Sequence, residues 1–212
     1  LTEATFVPPP PAEVVNAMGD LERFLDSPQE LPILVMVGLA HAQFETIHPF
    51  LDGNGRIGRL LITFLLCQQR ILSRPLLYLS HYLKKQRTEY YNHLQAVRDT
   101  GAWERWLKFF LRGVAEVATE ATATARRILQ LREEHRQYVS QNIGTANALR
   151  LVELLYERPI VTAKLVHQEL QVSPPTAHSL VNEFAQRGIL TEMTGQRRNR
   201  AFSYKSYLSM FE

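Results

Sequence analysis

The sequence predicts a mainly α-helical protein in which strands are confined to a short N-terminal arm and a small hairpin near the C-terminus. Two observations predict this fold class. Residues 33–40 and 60–66 are apolar on nearly every side, as expected of helices buried in a core. Residues 146–204 combine helical periodicity, turn residues and two short strand-like runs. With 212 residues, 45% of them apolar, the chain suits one large or two modest domains.

The elements follow in order along the chain. An extended arm, Leu1–Val7, ends at four prolines. Apolar residues at helical spacing then predict a first helix over residues 13–25, and Pro32 can begin a second one. The same reasoning predicts these further helices: 32–47, 55–70, 84–100, and one long helix over 103–142 with Gly113 as a potential break.

A polar loop, His48–Arg59, separates the two apolar helices. Gly53 and Gly55 let main-chain N–H groups approach an anion, and the helix that begins at Gly55 presents the positive end of its dipole. This combination predicts a phosphate cradle. Arg56 and Arg59 are three residues apart, so both can reach a polyphosphate from one helix face.

Two further side chains of the loop carry chemistry. Asp52 stands just before the cradle, where a carboxylate can hold Mg²⁺ against phosphate oxygens. His48 can take a proton near neutral pH. Phe50 lies between them and is expected to point into the core and anchor the loop. These residues predict an active site.

Residues 48–59 match the H-x-F-x-(D/E)-G-N-G-R-x-x-R signature of the Fic family position by position, and the resemblance extends from Phe6 to Trp106. It implies a Fic-type helical bundle that moves AMP from ATP to a hydroxyl of a target protein. His48 would then be the general base and Asp52 the Mg²⁺ ligand. The resemblance assigns the phosphates of ATP to Gly53, Asn54, Gly55, Arg56 and Arg59.

Three more expectations rest on this resemblance. Leu1–Val7 would be part of a flap that docks the target protein by strand addition. Tyr90 and Tyr91 would line the adenine pocket, although adjacent aromatics on a helix commonly serve packing. The inhibitory S/T-x-x-x-E-G/N motif of many relatives is not found in these residues, so we expect it to precede Leu1 or to lie on a separate chain.

The C-terminal third resembles a winged helix-turn-helix domain. Ser173 and Pro174 begin its third helix, whose buried stripe leaves Thr176, His178, Ser179 and Asn182 outward. Three arginines at the tip of the following hairpin are candidates for gripping nucleic-acid phosphates. These are Arg197, Arg198 and Arg200. Winged helices also serve as docking or dimerisation modules, so both roles stay open.

These patterns predict a catalytic domain over residues 1–112, a connecting helix over 113–144 and a winged helix-turn-helix domain over 145–212. The connecting helix fits a solvated bridge, with a homodimer seam as the alternative. One cysteine, Cys67, excludes a disulfide framework, and no apolar run reaches the ~18 residues of a membrane span. We expect a cytoplasmic adenylyltransferase. The alternatives are a DNA-binding regulator that senses nucleotide and an enzyme that removes AMP.

Overall fold

The computed structural model describes residues 6–27, 30–72, 79–196 and 198–211. The chain divides into two compact units, Leu1–Ala121 and Thr122–Glu212. The first unit is helical in its described residues. Its helices are α1 (Pro11–Asp26), α2 (Ile33–Ile47), α3 (Asn54–Gln68), α4 (Leu79–Lys85), α5 (Arg87–Thr100) and the first part of α6 (Trp103–Asn142). Most of the predicted arm, residues 1–5, lies outside the described residues, and Phe6 and Val7 form no strand.

Helix α2 is the centre of the first unit. From Met36 to Ile47 nearly every side chain is buried, which confirms the prediction made from its apolar sequence. The prediction was wrong for one face of α3, where Leu60 and Phe64 are 65% and 59% exposed. Only the face of α3 that carries Ile62 and Leu65 joins the core, because α3 packs against α2 from one side.

The glycine in the long helix α6 does not break it. A Cβ at Gly113 would lie 2.4 Å from Tyr82 Cε1, so glycine is needed for the close approach of α4. Before Gly113, Trp106 is fully buried, and its Nε1–H donates to the Gly38 carbonyl at 2.8 Å. The segment predicted as one helix over 84–100 is in fact two, because a turn at Gln86 separates α4 from α5.

The second unit combines helices with a small sheet. Its further elements are α7 (Ala146–Glu157), β1 (Ile160–Thr162), α8 (Ala163–Leu170), α9 (Pro174–Gln186), β2 (Thr191–Glu192), β3 (Ala201–Ser203), α10 (Lys205–Leu208) and a 3-10 turn (Ser209–Phe211). The antiparallel strands lie in the order β1-β3-β2, with Val161 opposite Phe202. The two strands of the wing were predicted, whereas β1 was not, since three residues give too short a pattern.

The helix-turn-helix follows its predicted pattern. Ser173 caps α9 by accepting the Thr176 N–H, and Pro174 is the first residue of the helix. The buried stripe of α9 consists of Ala177, Leu180, Val181 and Phe184, as predicted. Both units take core residues from α6, since Val117 belongs to the first core and Val139 to the second. The division at 112 and 144 remains a prediction.

Candidate active site

The loop between α2 and α3 begins with a strained residue. His48 has φ 51° and ψ 56°, in the left-handed region, and its N–H donates to the Phe44 carbonyl at 3.0 Å. Pro49 follows, and a residue before proline is disfavoured in the right-handed helical region, so α2 ends here. Left-handed backbone costs a non-glycine residue roughly 1–2 kcal/mol. The fold therefore holds His48 in one orientation at the end of a buried helix.

The side chain of Asn54 closes the loop. Its Oδ1 accepts the Phe50 N–H at 2.9 Å, and its Nδ2 donates to the Phe50 carbonyl at 2.6 Å. Asn54 is buried, so this side chain binds loop backbone and leaves only its main-chain N–H for an anion. Phe50 was expected in the core, but its ring is 47% exposed. The clamp from Asn54 to the Phe50 backbone anchors the loop instead.

The predicted cradle maps to the first turn of α3. Gly53 takes φ 85°, and its N–H donates to Asp52 Oδ1 at 2.6 Å. Gly55 lies inside the helix, where a Cβ would come within 3.1 Å of Arg59 Nη1. The absence of a side chain at Gly55 therefore leaves room for the Arg59 guanidinium beside the unpaired N–H groups of the helix start.

Two charged side chains stand at the mouth of the cradle. Arg56 Nη2 lies 3.3 Å from Asp52 Oδ2, and both side chains are exposed. An exposed pair at this distance contributes on the order of 0–1 kcal/mol, so an incoming phosphate can displace it at little cost. The predicted residues Asp52 to Arg59 thus belong to one loop and the first two turns of α3. Their roles toward phosphate remain predictions.

The two tyrosines of α5 differ in their surroundings. Tyr90 is buried, and its hydroxyl bonds to His41 at 3.0 Å, which is the packing role considered above. Tyr91 is half exposed and lies under the Arg87 guanidinium at 5.7 Å from the ring centroid. Tyr91 is therefore the tyrosine with surface available for a ligand, and the adenine pocket stays a prediction.

Two residues that support the site, Arg98 and His41, were not predicted to do so from the sequence. Arg98 of α5 donates from Nη2 to the Glu45 carbonyl at 2.9 Å and from Nε to Thr46 Oγ1 at 3.3 Å. Its guanidinium also stacks 3.6 Å above the ring of Phe6, which meets His48 edge-on. No local signal could have found these contacts, since Arg98 lies far from Glu45 and Phe6 in the sequence.

The second is His41 of α2, which contacts three other helices of the first unit. Its Nδ1–H donates to the Gly58 carbonyl at 2.9 Å, and its Nε2 accepts the Tyr90 hydroxyl. The ring also stacks on Trp106 at 5.8 Å. Burial lowers the pKa of His41 to about 4, with the hydrogen bond to Gly58 opposing and the charge of Arg59 adding to the shift.

We expect acid to destabilise the first unit through His41. Unfolded chains protonate this imidazole near pH 6.5, whereas the folded protein does so only near pH 4. Stability is therefore complete above pH 6.5 and falls as the pH drops toward 4, by about 3 kcal/mol from this group. Urea unfolding of the wild type and of His41→Asn between pH 4 and 7 measures the difference. Parallel pH profiles for the two proteins would contradict the assignment.

In the second unit, the predicted nucleic-acid residues fall into three groups. His178, Ser179 and Asn182 are exposed on α9, as predicted, while Thr176 is half-buried and bonds to Ser173 Oγ. At the wing, Arg198 is exposed, but Arg200 pairs with Glu192 and stacks over Phe202. Arg197 lies outside the described residues. Arg200 thus has an internal partner, which leaves Arg198 as the described wing arginine best placed for DNA.

Two family models match separate parts of the chain. Residues 2–66 match the family model described as Fic/DOC family, and residues 149–203 match the model described as HTH DNA binding domain. These stretches contain the cradle and the α8–α9 pair, respectively.

Curated relatives match the N-terminal part. A probable protein adenylyltransferase of Aquifex aeolicus is 37% identical over 70 residues, which is 33% of this chain and 22% of that protein. The protein adenylyltransferase Fic of Drosophila grimshawi is 37% identical over 95 residues, 44% of this chain and 18% of that protein. The matched stretch thus spans about a fifth of these relatives.

One solved structure has the same fold over most of the chain. A Fic family protein from Desulfovibrio desulfuricans aligns with a TM-score of 0.55 and 22% identity, covering 93% of this chain and 56% of that one. Within the part of the chain that the structure describes, no helix is both long and apolar enough to cross a membrane.

Proposed function

We propose that this chain, which carries a Fic/DOC domain followed by a helix-turn-helix domain, is a protein adenylyltransferase. It would move AMP from ATP to a Ser, Thr or Tyr hydroxyl of a target protein in the cytoplasm and release pyrophosphate. The observation that carries the proposal is the clamped loop. Asn54 binds the Phe50 backbone and so fixes the short connection between His48 and the positive end of α3. A base and an anion cradle are thereby held together.

The proposed reaction uses His48 as its base. The imidazole takes the proton of the target hydroxyl while the hydroxyl oxygen bonds to the α-phosphorus of ATP. The bond from that phosphorus to the α–β bridging oxygen breaks, and pyrophosphate leaves. The N–H groups of Asn54 and Gly55 face the α-phosphate, while the Gly53 N–H holds the Asp52 carboxylate. Arg56 and Arg59 neutralise the charge that develops on the leaving group. Positioning and charge neutralisation supply most of the rate enhancement.

Asp52 fits a Mg²⁺ ion at this site. Its carboxylate is exposed, and one oxygen is oriented by the Gly53 N–H. Mg²⁺ commonly takes one or two carboxylates together with phosphate oxygens and water, so Asp52 and ATP would suffice. Among the described residues no cluster of three or more His, Cys, Asp or Glu side chains could hold a metal ion. When bound, Mg²⁺ would neutralise phosphate charge.

The N-terminal segment is proposed to dock the target protein. Phe6 lies between the His48 ring, at 6.0 Å, and the Arg98 guanidinium. Phe6, two residues before the four prolines, therefore lies beside the proposed base. A target strand that paired with this segment would bring its hydroxyl toward His48.

Phosphate-labelled ATP tests the reaction. With Mg²⁺ and ATP labelled at the α-phosphate, we expect label to enter protein, either this chain or an added target. With ATP labelled at the γ-phosphate we expect none. Label from the γ-phosphate would indicate phosphoryl transfer and contradict the proposal. Loss of AMP from an already modified protein, without any gain from ATP, would favour the reverse reaction.

A second activity is proposed for the helix-turn-helix unit. The α9 face with His178, Ser179 and Asn182 is free of large apolar side chains, and the exposed Arg198 lies on the wing. Polar side chains on a recognition helix and a basic wing fit a DNA groove and its phosphates. Together with the family match over residues 149–203, this favours DNA binding over a docking or dimerisation role for this unit.

We expect Arg198→Ala to weaken the binding of duplex DNA uniformly across sequences, because a phosphate contact carries no sequence information. The slope of log K against log salt should become shallower by about 0.9, the value of one phosphate contact. Fluorescence anisotropy at several salt concentrations measures this slope. Arg150→Ala, which changes an exposed arginine of α7, is the matched control. Equal slopes for all three proteins would contradict a wing contact.

A further inference from the structure

Glu45 is a buried carboxylate without an evident partner. It lies on α2 and is only 4% exposed. Its Oε1 has no hydrogen-bond partner in the described structure. A buried charge without a partner is costly, and such a group commonly has a function. The nearby Arg98 does not satisfy this oxygen, since its guanidinium binds the main-chain carbonyl of Glu45 rather than the carboxylate.

The carboxylate lies directly beneath the cradle. A Cβ at Gly58 would be 2.3 Å from Glu45 Oε1, so only glycine at this position admits the carboxylate. A Cβ at Gly55 would be 3.9 Å from the same oxygen. Glu45 Oε1 therefore lies against the first two turns of α3, on the side where Gly55 has no side chain.

The Arg59 guanidinium reaches the same place. Its Nη1 lies 3.1 Å from the position that a Cβ on Gly55 would take. Arg59 Nη1 and Glu45 Oε1 are therefore both close to Gly55. No ion pair within 4.0 Å joins the two side chains in the described part of the chain. Burial raises the pKa of Glu45, and the charges of Arg59 and Arg98 oppose that shift. Arg59 thus acts on Glu45 electrostatically, without direct contact.

We propose that Glu45 is a positioning residue for Arg59, a role that rests on the proposed function of the cradle as an ATP site. The carboxylate attracts one edge of the guanidinium and leaves the other edge toward the distal phosphates. A guanidinium has five donors in a fixed fork, so it can face a carboxylate and a phosphate at once. Pre-ordering of this side chain lowers the entropy cost of binding ATP.

Nucleotide titration tests the proposal without a transfer reaction. We expect Glu45→Gln to weaken ATP binding on the order of tenfold, because the Arg59 guanidinium loses the charge that pre-orders it, and to leave AMP binding unchanged. AMP lacks the distal phosphates that Arg59 would bind. In an Arg59→Ala background, Glu45→Gln should have no further effect, because the two side chains act as one unit.

Gly58→Ala is the second variant. It displaces the Glu45 carboxylate without removing its charge, since the new methyl group would occupy the position of Oε1. The same selective loss of ATP binding is expected. Glu13→Gln, an exposed glutamate of α1, is the matched control, and thermal unfolding verifies that each variant is folded.

Three results would overturn the role of Glu45 while leaving the proposed function intact. They are unchanged ATP binding in Glu45→Gln, an equal loss of ATP and AMP binding in that variant, and an effect of Glu45→Gln that persists in the Arg59→Ala background. An equal loss would indicate a purely structural role. If the wild type bound neither nucleotide in the presence of Mg²⁺, the proposed function would fail together with the inference.

Discussion

Replacement of His48 by alanine is expected to lower the rate of AMP transfer by about 10²- to 10⁴-fold, the usual contribution of a positioned general base. ATP binding should stay near that of the wild type, because the cradle is built from the backbone of Gly53–Gly55 and from the arginines of α3. Alanine has a Cβ as histidine does and so bears a similar cost in the left-handed conformation at residue 48, and the loop should stay folded.

Rate and affinity must be measured together to interpret this variant. Transfer of labelled AMP gives the rate, and nucleotide titration gives the affinity. Asp52→Ala and Arg56→Ala should show the opposite pattern, with weakened binding of ATP or Mg²⁺. His178→Ala, an exposed histidine in the second unit, is the control and should transfer AMP normally. Turnover of His48→Ala at the wild-type rate would exclude the general-base role.

The largest effect on stability is expected at Trp106. Its ring is fully buried among His41, Tyr90 and Phe110, and its indole N–H satisfies the Gly38 carbonyl. Trp106→Ala would leave a large cavity and a buried carbonyl without a partner, which together cost about 3–5 kcal/mol. The helices that hold the His48 loop should therefore loosen.

Hydrogen exchange measures this effect within the first unit. We expect the protection of α2 and α5 to fall in Trp106→Ala, while that of α7 and α9 in the second unit stays as in the wild type. Trp103→Ala, which removes a half-buried tryptophan from the same helix, should have a clearly smaller effect. Equal losses of protection in the two variants would show that Trp106 stabilises the core no more than Trp103 does.

The helices and the start of α3 could be predicted because their signals are local. Apolar periodicity located α2 and the buried stripe of α9, and the glycines located the start of α3. Phe50 was misplaced because the sequence does not reveal that Asn54 clamps the loop through its backbone. Leu60 and Phe64 were misplaced because an apolar helix need not be covered on every side.

The supporting residues of the site could not be predicted for a different reason. Arg98 and Glu45 act through contacts between helices that are distant in sequence, so no local sequence pattern predicts their roles. His41 was visible as a histidine on an apolar helix. Only the structure shows that its ring bonds to Gly58 and Tyr90, which gives it a structural place beside the site.

The most direct test of the central claim is intact-mass spectrometry of the wild type and His48→Ala after incubation with Mg²⁺ and ATP, alone and with an added extract fraction as a source of target. We expect a protein mass to increase by one AMP unit with the wild type and no increase with His48→Ala. An equal AMP gain with both proteins would contradict the role of His48. An increase by one phosphoryl group would contradict adenylyl transfer itself.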